Sequence, residues 1–382
     1  MRVLGKGKTA LAIKDLYEDI KLYDDSNIDE YNFKSDEDTI VSPGIPPYND
    51  LVKGSKNIFS DYDLFLTKNH FTIWISGTNG KTTTTSMLYH LLKEKGFYCG
   101  GNIGLPLAKI KDYSKLILET SSFTLHYTQK AKPNIYILLP ITPDHISWHI
   151  SFSEYEKSKL KPLFLMDEND IALVPYKYKD INTKANLIFY KDVYDLSNIF
   201  DIDLHSVNFQ EPFLMDAILA LGVTNLLFDE VDYEKINSFI QDPHKLEKVD
   251  TKDGNIWIND SKATNIDATI QALKSYKGKD INLILGGDDK GVDLTPLFDE
   301  LKNYNISIFA IGKNTQKLGT LAKKYNLNFQ ECFELKIAIE KIRGLNNLKK
   351  YINLLSPAAA SLDQFKSYKH RGEEFKRILF DL

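Results

Sequence analysis

Cysteine is nearly missing: Cys99 and Cys332 are the only two in 382 residues. Two thiols make neither a disulfide framework nor a cysteine zinc site, and they read as small apolar side chains in a reducing compartment. An excess of one charge is missing too. Lys and Arg number 48 against 52 Asp and Glu, a formal charge of -4, which gives no bulk electrostatic pull on nucleic acid. No apolar run reaches the ~18 residues of a membrane span, and the opening MRVLGKGKTALAI lacks an apolar stretch followed by a small-residue cleavage site. A cytoplasmic location without membrane insertion is therefore expected. Internal repeats and low-complexity tracts are also absent from the sequence.

With 43% hydrophobic and 26% charged residues the composition is globular, and the length exceeds what one hydrophobic core organises. Short β-rich runs alternate with helical stretches, the pattern of α/β layers with parallel sheets. Three units are predicted, at residues 1–68, 69–241 and 242–382. The first has strands at 2–4, 20–23 and 39–41, a turn at Gly5 and Gly7, and a helix from Thr9. The second has strands at 71–75, 115–119, 135–139 and 171–174. In the third, strands at 256–258, 281–285, 306–311 and 351–355 are interleaved with helices from Asn265 and Thr295. Strand after strand ends in polar or glycine residues, and open α/β sheets bind ligands at that edge.

The sharpest signal is ISGTNGKTTTTSMLYHLL at 75–92, where an apolar strand breaks into a glycine loop and resumes as a helix. Gly77 and Gly80 let backbone N–H groups face a polyphosphate, the helix N-terminus adds partial positive charge, Lys81 reaches phosphate and the Thr82 hydroxyl suits Mg²⁺. The strict phosphate-loop spacing is not met, because Ile75 stands where its first glycine belongs. Two further strand ends bring ligands for a hard cation: Glu119 in LILETSSF, and Asp144 with His145 in PITPDHISWH. Near the C-terminus, Asp260, Lys262 and Thr264 in WINDSKATN, Lys290 in LGGDDKG, and Ser361, Asp363, Gln364 and Tyr368 after the strand at 351–355 gather lysines and hydroxyls fit for a small dianion. Thr264 or Asn265 caps the helix that follows.

Together these motifs resemble the ATP-dependent Mur ligase family over nearly the whole chain. GTNGKTT at 77–83, GNIGLP at 101–106, ETSSF at 119–123 and DH at 144–145 are similar to its central ATPase domain. NDSKATN at 259–265, LGGDDKG at 285–291 and LSPAAASLDQF at 355–365 resemble its D-glutamate-adding branch, and the DNPR string expected of a diaminopimelate-adding member is not in the sequence. The resemblance implies three α/β domains: a short Rossmann-like domain for the uridine of a UDP-sugar (1–68), a P-loop ATPase domain (69–241) and a Rossmann-like domain for D-glutamate (242–382). It implies a cytoplasmic, monomeric enzyme that uses ATP to couple D-glutamate to UDP-N-acetylmuramoyl-L-alanine. That step builds peptidoglycan precursor for the cell wall, and so serves cell shape and division.

Residue by residue, the resemblance implies ATP contacts at Gly77, Thr78, Asn79, Gly80, Lys81, Thr82 and Thr83, with His244, Lys245 and Asp260 toward adenine and ribose. Two Mg²⁺ ions fall to Thr82, Glu119, His145 and Lys159, the last as a carbamate formed with CO₂. Lys81, Glu119, His145 and Lys159 are thus the expected catalytic set. Asn102 is expected on the UDP-sugar, and Thr9, Asp24, Ser42, Pro43 and Gly44 at its uridine. Lys262, Thr264, Lys290, Ser361, Leu362 and Tyr368 are expected on D-glutamate. A helix over 153–164 sets Tyr155 and Lys159 on one face, leaving Lys157 and Lys161 as solvated charges. The chain departs from the family where DH continues as Ile146-Ser147-Trp148 instead of a charged pair, where FQEPF replaces an HNxxN motif and leaves Gln210, and where Lys245 replaces an arginine. The rival readings are a folylpolyglutamate-type ligase, which has no uridine domain, and a P-loop ATPase coupled to a partner protein.

Overall fold

The computed structural model describes residues 1–17, 19–252, 254–345 and 348–381. Its described strands form three sheets. The first, in the order β2-β1-β3-β4, uses Arg2–Leu4 (β1), Leu22–Tyr23 (β2), Asp38–Val41 (β3) and Asn57–Phe59 (β4). The second, β10-β9-β8-β5-β7-β6, uses Phe71–Ser76 (β5), Tyr98–Gly101 (β6), Lys115–Glu119 (β7), Ile135–Leu138 (β8), Ile171–Pro175 (β9) and Asn186–Tyr190 (β10). The third, β11-β12-β16-β13-β14-β15, uses Glu247–Val249 (β11), Ile256–Asn259 (β12), Asp280–Gly286 (β13), Ile306–Ile311 (β14), Asn328–Phe333 (β15) and Tyr351–Leu355 (β16). All recorded pairings are parallel except β11 on β12.

By proximity the chain forms two compact units, residues 1–209 with 213–239, and residues 210–212 with 240–382. The first two sheets therefore lie in one unit and the third sheet in the other. The expected strand at 20–23 is only Leu22–Tyr23, and β4, β6, β10, β11 and β15 are additions to the expected set.

Parallel strands buried on both faces need apolar residues at every position, and the alternation of side chains sorts them into two layers. Trp74, Leu116, Leu118, Tyr136 and Leu138 pack on one face of the second sheet. Ile73, Ile75, Ile117, Ile135 and Ile137 pack on the other, against Met87, Leu88, Leu91 and Leu92 of the helix Lys81–Leu92. The third sheet repeats the scheme, with Ile281, Leu283 and Leu285 in one layer and Ile284, Phe309 and Leu355 in the other.

Register decides what this burial delivers. Ile75 stands beside Glu119, and Ser76 beside Leu138, so β5, β7 and β8 end together and their loops emerge side by side. In the third sheet Asn259 stands beside Leu355, and Leu355 beside Ile284, which brings the turns after β12, β16 and β13 to one edge.

Candidate active site

After β5 the backbone turns at Gly77 (φ 138°) and Gly80 (φ 84°) into the helix Lys81–Leu92. Both positions need glycine. A Cβ on Gly77 would lie 2.4 Å from the Leu139 Cβ, and one on Gly80 would lie 2.6 Å from Asp216 Oδ1, in a φ region that L-residues avoid. Thr78 locks the loop to the segment after β8: its Oγ1 donates to Thr142 O at 3.0 Å and accepts from Thr142 N at 2.9 Å. Lys81 curls back, Nζ donating to Gly77 O at 3.0 Å and Thr78 O at 2.7 Å. Asn79, Thr82 and Thr83 complete the turn into the first helical residues, with Thr83 buried.

Glu119 closes the neighbouring strand and is 2% exposed. Asn102 Nδ2 donates to its Oε1 at 2.6 Å, and Asn102 N donates to its carbonyl at 2.9 Å. Its Oε2 is buried with no hydrogen-bond partner among the described residues, an open acceptor that invites a cation. His145, in left-handed backbone (φ 53°), caps the short helix Ile146–His149. Its Nε2 lies 3.6 Å from Asp144 Oδ2, and its ring 4.8 Å from that of Phe123.

Lys159 lies on the helix Phe152–Leu165 and is 1% exposed. Its Nζ donates to Gly77 O at 2.7 Å and Ser76 Oγ at 3.4 Å, and stands 4.8 Å from the centre of the Tyr155 ring. Tyr155 shares its face of the helix, as the i, i+4 spacing predicts, and its hydroxyl reaches Thr78 Oγ1 at 3.1 Å. Burial, and then the charge of Lys81, hold the Lys159 amine well below the usual lysine range, against the opposing pull of Asp144 and Glu119. His149 beside this group is pushed down to about 3 by burial and by His126, His145 and Lys159, and is neutral. Lys157 pairs with Glu154 at the surface, but Lys161 is not a solvated charge: it is half-buried and donates to His126 O at 2.8 Å.

At the edge of the first sheet, Asp24 accepts from Lys6 Nζ at 2.8 Å and Ser26 N at 3.0 Å. Ser42 is buried and starts the Pro43-Gly44 turn. Gly5 must be glycine to pass it, since a Cβ there would lie 2.8 Å from the Ser42 Cβ. Thr9 lies in the helix Lys8–Lys14 that follows.

The second unit gathers its own set at the ends of β12, β13 and β16. Asp260, 7% exposed, accepts from Ser356 Oγ at 2.7 Å and Leu246 N at 3.3 Å, and burial pushes its carboxyl up to about 7. The Lys245 charge opposes that rise. His244 is buried, with Nδ1 2.9 Å from Asn259 Nδ2 and Nε2 3.1 Å from Glu373 Oε1. Lys262 Nζ is 5.8 Å from the Tyr368 ring centre. Asn265, and not Thr264, caps the next helix, accepting from Ala268 N at 2.9 Å. Asp288 and Ala360 exchange backbone hydrogen bonds at 2.9 and 3.0 Å, which holds the turn of Lys290 against that of Ser361. Ser361 is buried and Leu362 is 71% exposed. Leu362 lines a depression of about 600 Å³ with Asp288, Gly312, Lys313, Phe333, Asp363 and Gln364.

Two participants escaped the sequence reading. Asp216 accepts from Thr84 Oγ1 at 2.8 Å and braces the first turn of the helix after the glycine loop; the signal was an acid inside the otherwise apolar run FLMDAILALG at 213–222. Arg371 reads as one more charge in KHRGEEFKR, yet it is 1% exposed.

The glycine loop between β5 and its helix, the acid and imidazole after the neighbouring strands and the amine on the packed helix all lie within residues 75–199, which the Mur ligase middle domain model matches. The fold agrees: the Thermotoga maritima MurF ligase crystallised with ADP superposes with a TM-score of 0.60, at 16% identity, over 90% of this chain and 88% of that one. The UDP-N-acetylmuramoylalanine–D-glutamate ligase of Campylobacter jejuni is 47% identical over 99% of this chain and 98% of its own length. That of Helicobacter pylori is 42% identical over the same shares. The chain belongs to the UDP-N-acetylmuramoylalanine–D-glutamate ligase family.

Proposed function

We propose that this ligase joins D-glutamate to UDP-N-acetylmuramoyl-L-alanine with cleavage of ATP to ADP and phosphate, acting in the cytoplasm as a monomer in the synthesis of peptidoglycan. Among the described residues no helix is long and apolar enough to cross a membrane. The observation that carries the reading is the convergence of the 77–83 loop and Glu119 on adjoining strand ends with Lys159, which reaches Gly77 O from its helix, in a chain alike to D-glutamate ligases over 99% of its length.

A carboxylate does not acylate an amine at neutral pH, so the L-alanyl carboxylate first attacks the γ-phosphorus and displaces ADP. The amine of D-glutamate then adds to the acyl phosphate, and the tetrahedral adduct expels phosphate and loses the amine proton. The backbone of Gly77–Lys81, with Thr82 and Thr83, cradles the phosphates. Lys81 exchanges the carbonyls of Gly77 and Thr78 for phosphate oxygens and offsets charge in transfer. His244, Lys245 and Asp260 take the adenosine.

Magnesium, when bound with the nucleotide, neutralises the γ-phosphoryl charge. Thr82, Glu119, His145 and a carbamate on Lys159 would hold it. The open Oε2 of Glu119 fits that role. Among the described residues no three of His, Cys, Asp and Glu form a ready cage, which suits an ion that takes much of its shell from phosphate and water. Burial holds the Lys159 amine well below the usual lysine range, which favours the neutral form that adds to CO₂ with formation of an N–C bond and release of a proton; the carbamate is an oxygen ligand where an ammonium would be repelled. Asn102, through Glu119, sets the UDP-sugar beside this group, with Thr9, Asp24, Ser42, Pro43 and Gly44 at the uridine. Lys262, Thr264, Lys290, Ser361, Leu362 and Tyr368 read D-glutamate. Residues 1–68, 69–241 and 242–382 are thus the UDP-sugar, ATP and amino-acid domains.

Phosphate release measured with ATP, UDP-N-acetylmuramoyl-L-alanine and a panel of amino acids tests the reading. D-Glutamate alone should sustain turnover; ATP hydrolysis indifferent to both co-substrates would end it.

A further inference from the structure

In the helix Tyr368–Asp381 the charges beyond the first turn behave as surface charges do: Arg377 pairs with Glu374 and Asp381, and Lys376 with Glu373 and Glu247. Arg371 differs. Its Nε donates to Ser261 Oγ at 3.0 Å, and its Nη2 to Ser261 O at 2.9 Å and Ala359 O at 3.1 Å. Ser261 Oγ in turn donates to Tyr368 O at 2.8 Å. One planar guanidinium thus spans the turn after β12, the turn after β16 and the start of its own helix. Its Nη1 lies 3.4 Å from where a Cβ on Gly287 would stand, so the turn after β13 packs on it as well.

Each turn is one residue or a few from a group assigned to the amine: Ser261 precedes Lys262, Ala359 is two before Ser361, and Gly287 is three before Lys290. The next residue faces the other substrate's side. A Cβ on Gly372 would lie 2.2 Å from His244 Nδ1, and Gly372 O accepts from Asn259 Nδ2 at 3.2 Å. A fold pin would need only volume and one bond. A charge this far from water is costly unless its geometry is put to use, and a fork with fixed angles transmits register where a flexible lysine would not.

We propose that Arg371 is a positioning residue for the amine acceptor: it sets the register of the three turns that carry Lys262, Lys290 and Ser361, with Gly372 giving His244 its room. The proposal rests on the D-glutamate reading of those turns.

Steady-state kinetics of the full chain with Arg371→Lys and Arg371→Met, varying each substrate in turn, tests it. Both variants should raise the KM for D-glutamate roughly tenfold or more while the KM values for ATP and the UDP-sugar stay within about twofold, since a small misplacement of binding groups is felt steeply. Arg371→Lys should be the milder of the two. Should Arg371→Met fail to fold, Ser261→Ala removes one acceptor and leaves both carbonyl bonds, and a rise of about threefold confined to D-glutamate is expected. Equal rises for all three substrates, or a lowered melting temperature with every KM unchanged, would overturn the proposal. Were the unaltered chain to turn over with another amine and not with D-glutamate, the substrate reading would fall; the same split, measured on that amine, would still decide the role of Arg371.

Discussion

Lys159 in the first unit and Arg371 in the second are equally buried, each 1% exposed, and they are held in opposite ways. Arg371 spreads its donors over a hydroxyl and two carbonyls, and burial brings it down only to about 10, so it stays charged. Lys159 has one short bond, to Gly77 O, a long one to Ser76 Oγ, and the charge of Lys81 close by. A buried cation that the fold satisfies is part of the framework. One that the fold leaves under-satisfied beside a glycine loop is poised to change its chemistry.

Removing each side chain should therefore give opposite results, and this is the largest effect expected. Lys159→Ala should lose about 10²- to 10³-fold in kcat, the scale of one lost electrostatic stabiliser, with little change in urea unfolding; formate or acetate should restore part of the rate by supplying a carboxylate ligand. Arg371→Met leaves two carbonyls without their donor and should cost about 2 to 4 kcal/mol of stability in the same titration. A Lys159→Ala chain that unfolds like Arg371→Met while keeping its rate would erase the distinction.

Glycine gives a second, smaller contrast between the units. Gly80 and Gly291 both have positive φ, but a Cβ on Gly80 meets Asp216 at 2.6 Å, whereas one on Gly291 meets nothing within 4 Å. Gly291→Ala should cost only the left-handed strain of about 1 to 2 kcal/mol. Gly80→Ala should add to that a rise of roughly tenfold in the KM for ATP, because the displaced loop is the one proposed to cradle the phosphates. Indistinguishable nucleotide KM values would show that the loop tolerates the shift.

In the smallest effect the units should agree. Burial pushes Asp61 in the first unit and Asp260 in the second up to about 7. Each carboxyl binds its proton more tightly folded than unfolded, so its contribution to stability is fully present below the ordinary carboxylate range and is lost as pH rises through about 7. Melting temperatures between pH 5 and 8 should fall with rising pH. Asp61→Asn and Asp260→Asn should each flatten that slope, and a slope unchanged in both would show that neither group titrates as its burial demands.

How legible was all this in the sequence? The buried central strands were plain, because unbroken apolar runs such as FTIWI and INLIL have few other uses. The strands missed lie at sheet edges or in mixed composition: YCGG of β6 reads as a turn, and NFQECF of β15 is mostly exposed and polar. At the site, Lys81, Glu119, His145 and Lys159 were named from motifs, and the fold sets them on neighbouring loops and one packed helix. Arg371 and Asp216 were not legible, because a charge in a helix says nothing of whether a distant turn will close over it. Lys161 failed for the same reason: its partner is the carbonyl of His126, on another helix.

The fate of one oxygen tests the central claim most directly. With ¹⁸O in both oxygens of the L-alanyl carboxylate of UDP-N-acetylmuramoyl-L-alanine, and ATP and D-glutamate supplied, mass spectrometry of the released phosphate reads whether that carboxylate was phosphorylated. One ¹⁸O in each phosphate released and one amide formed per ADP are expected. Phosphate that carries only solvent or ATP oxygen would contradict it.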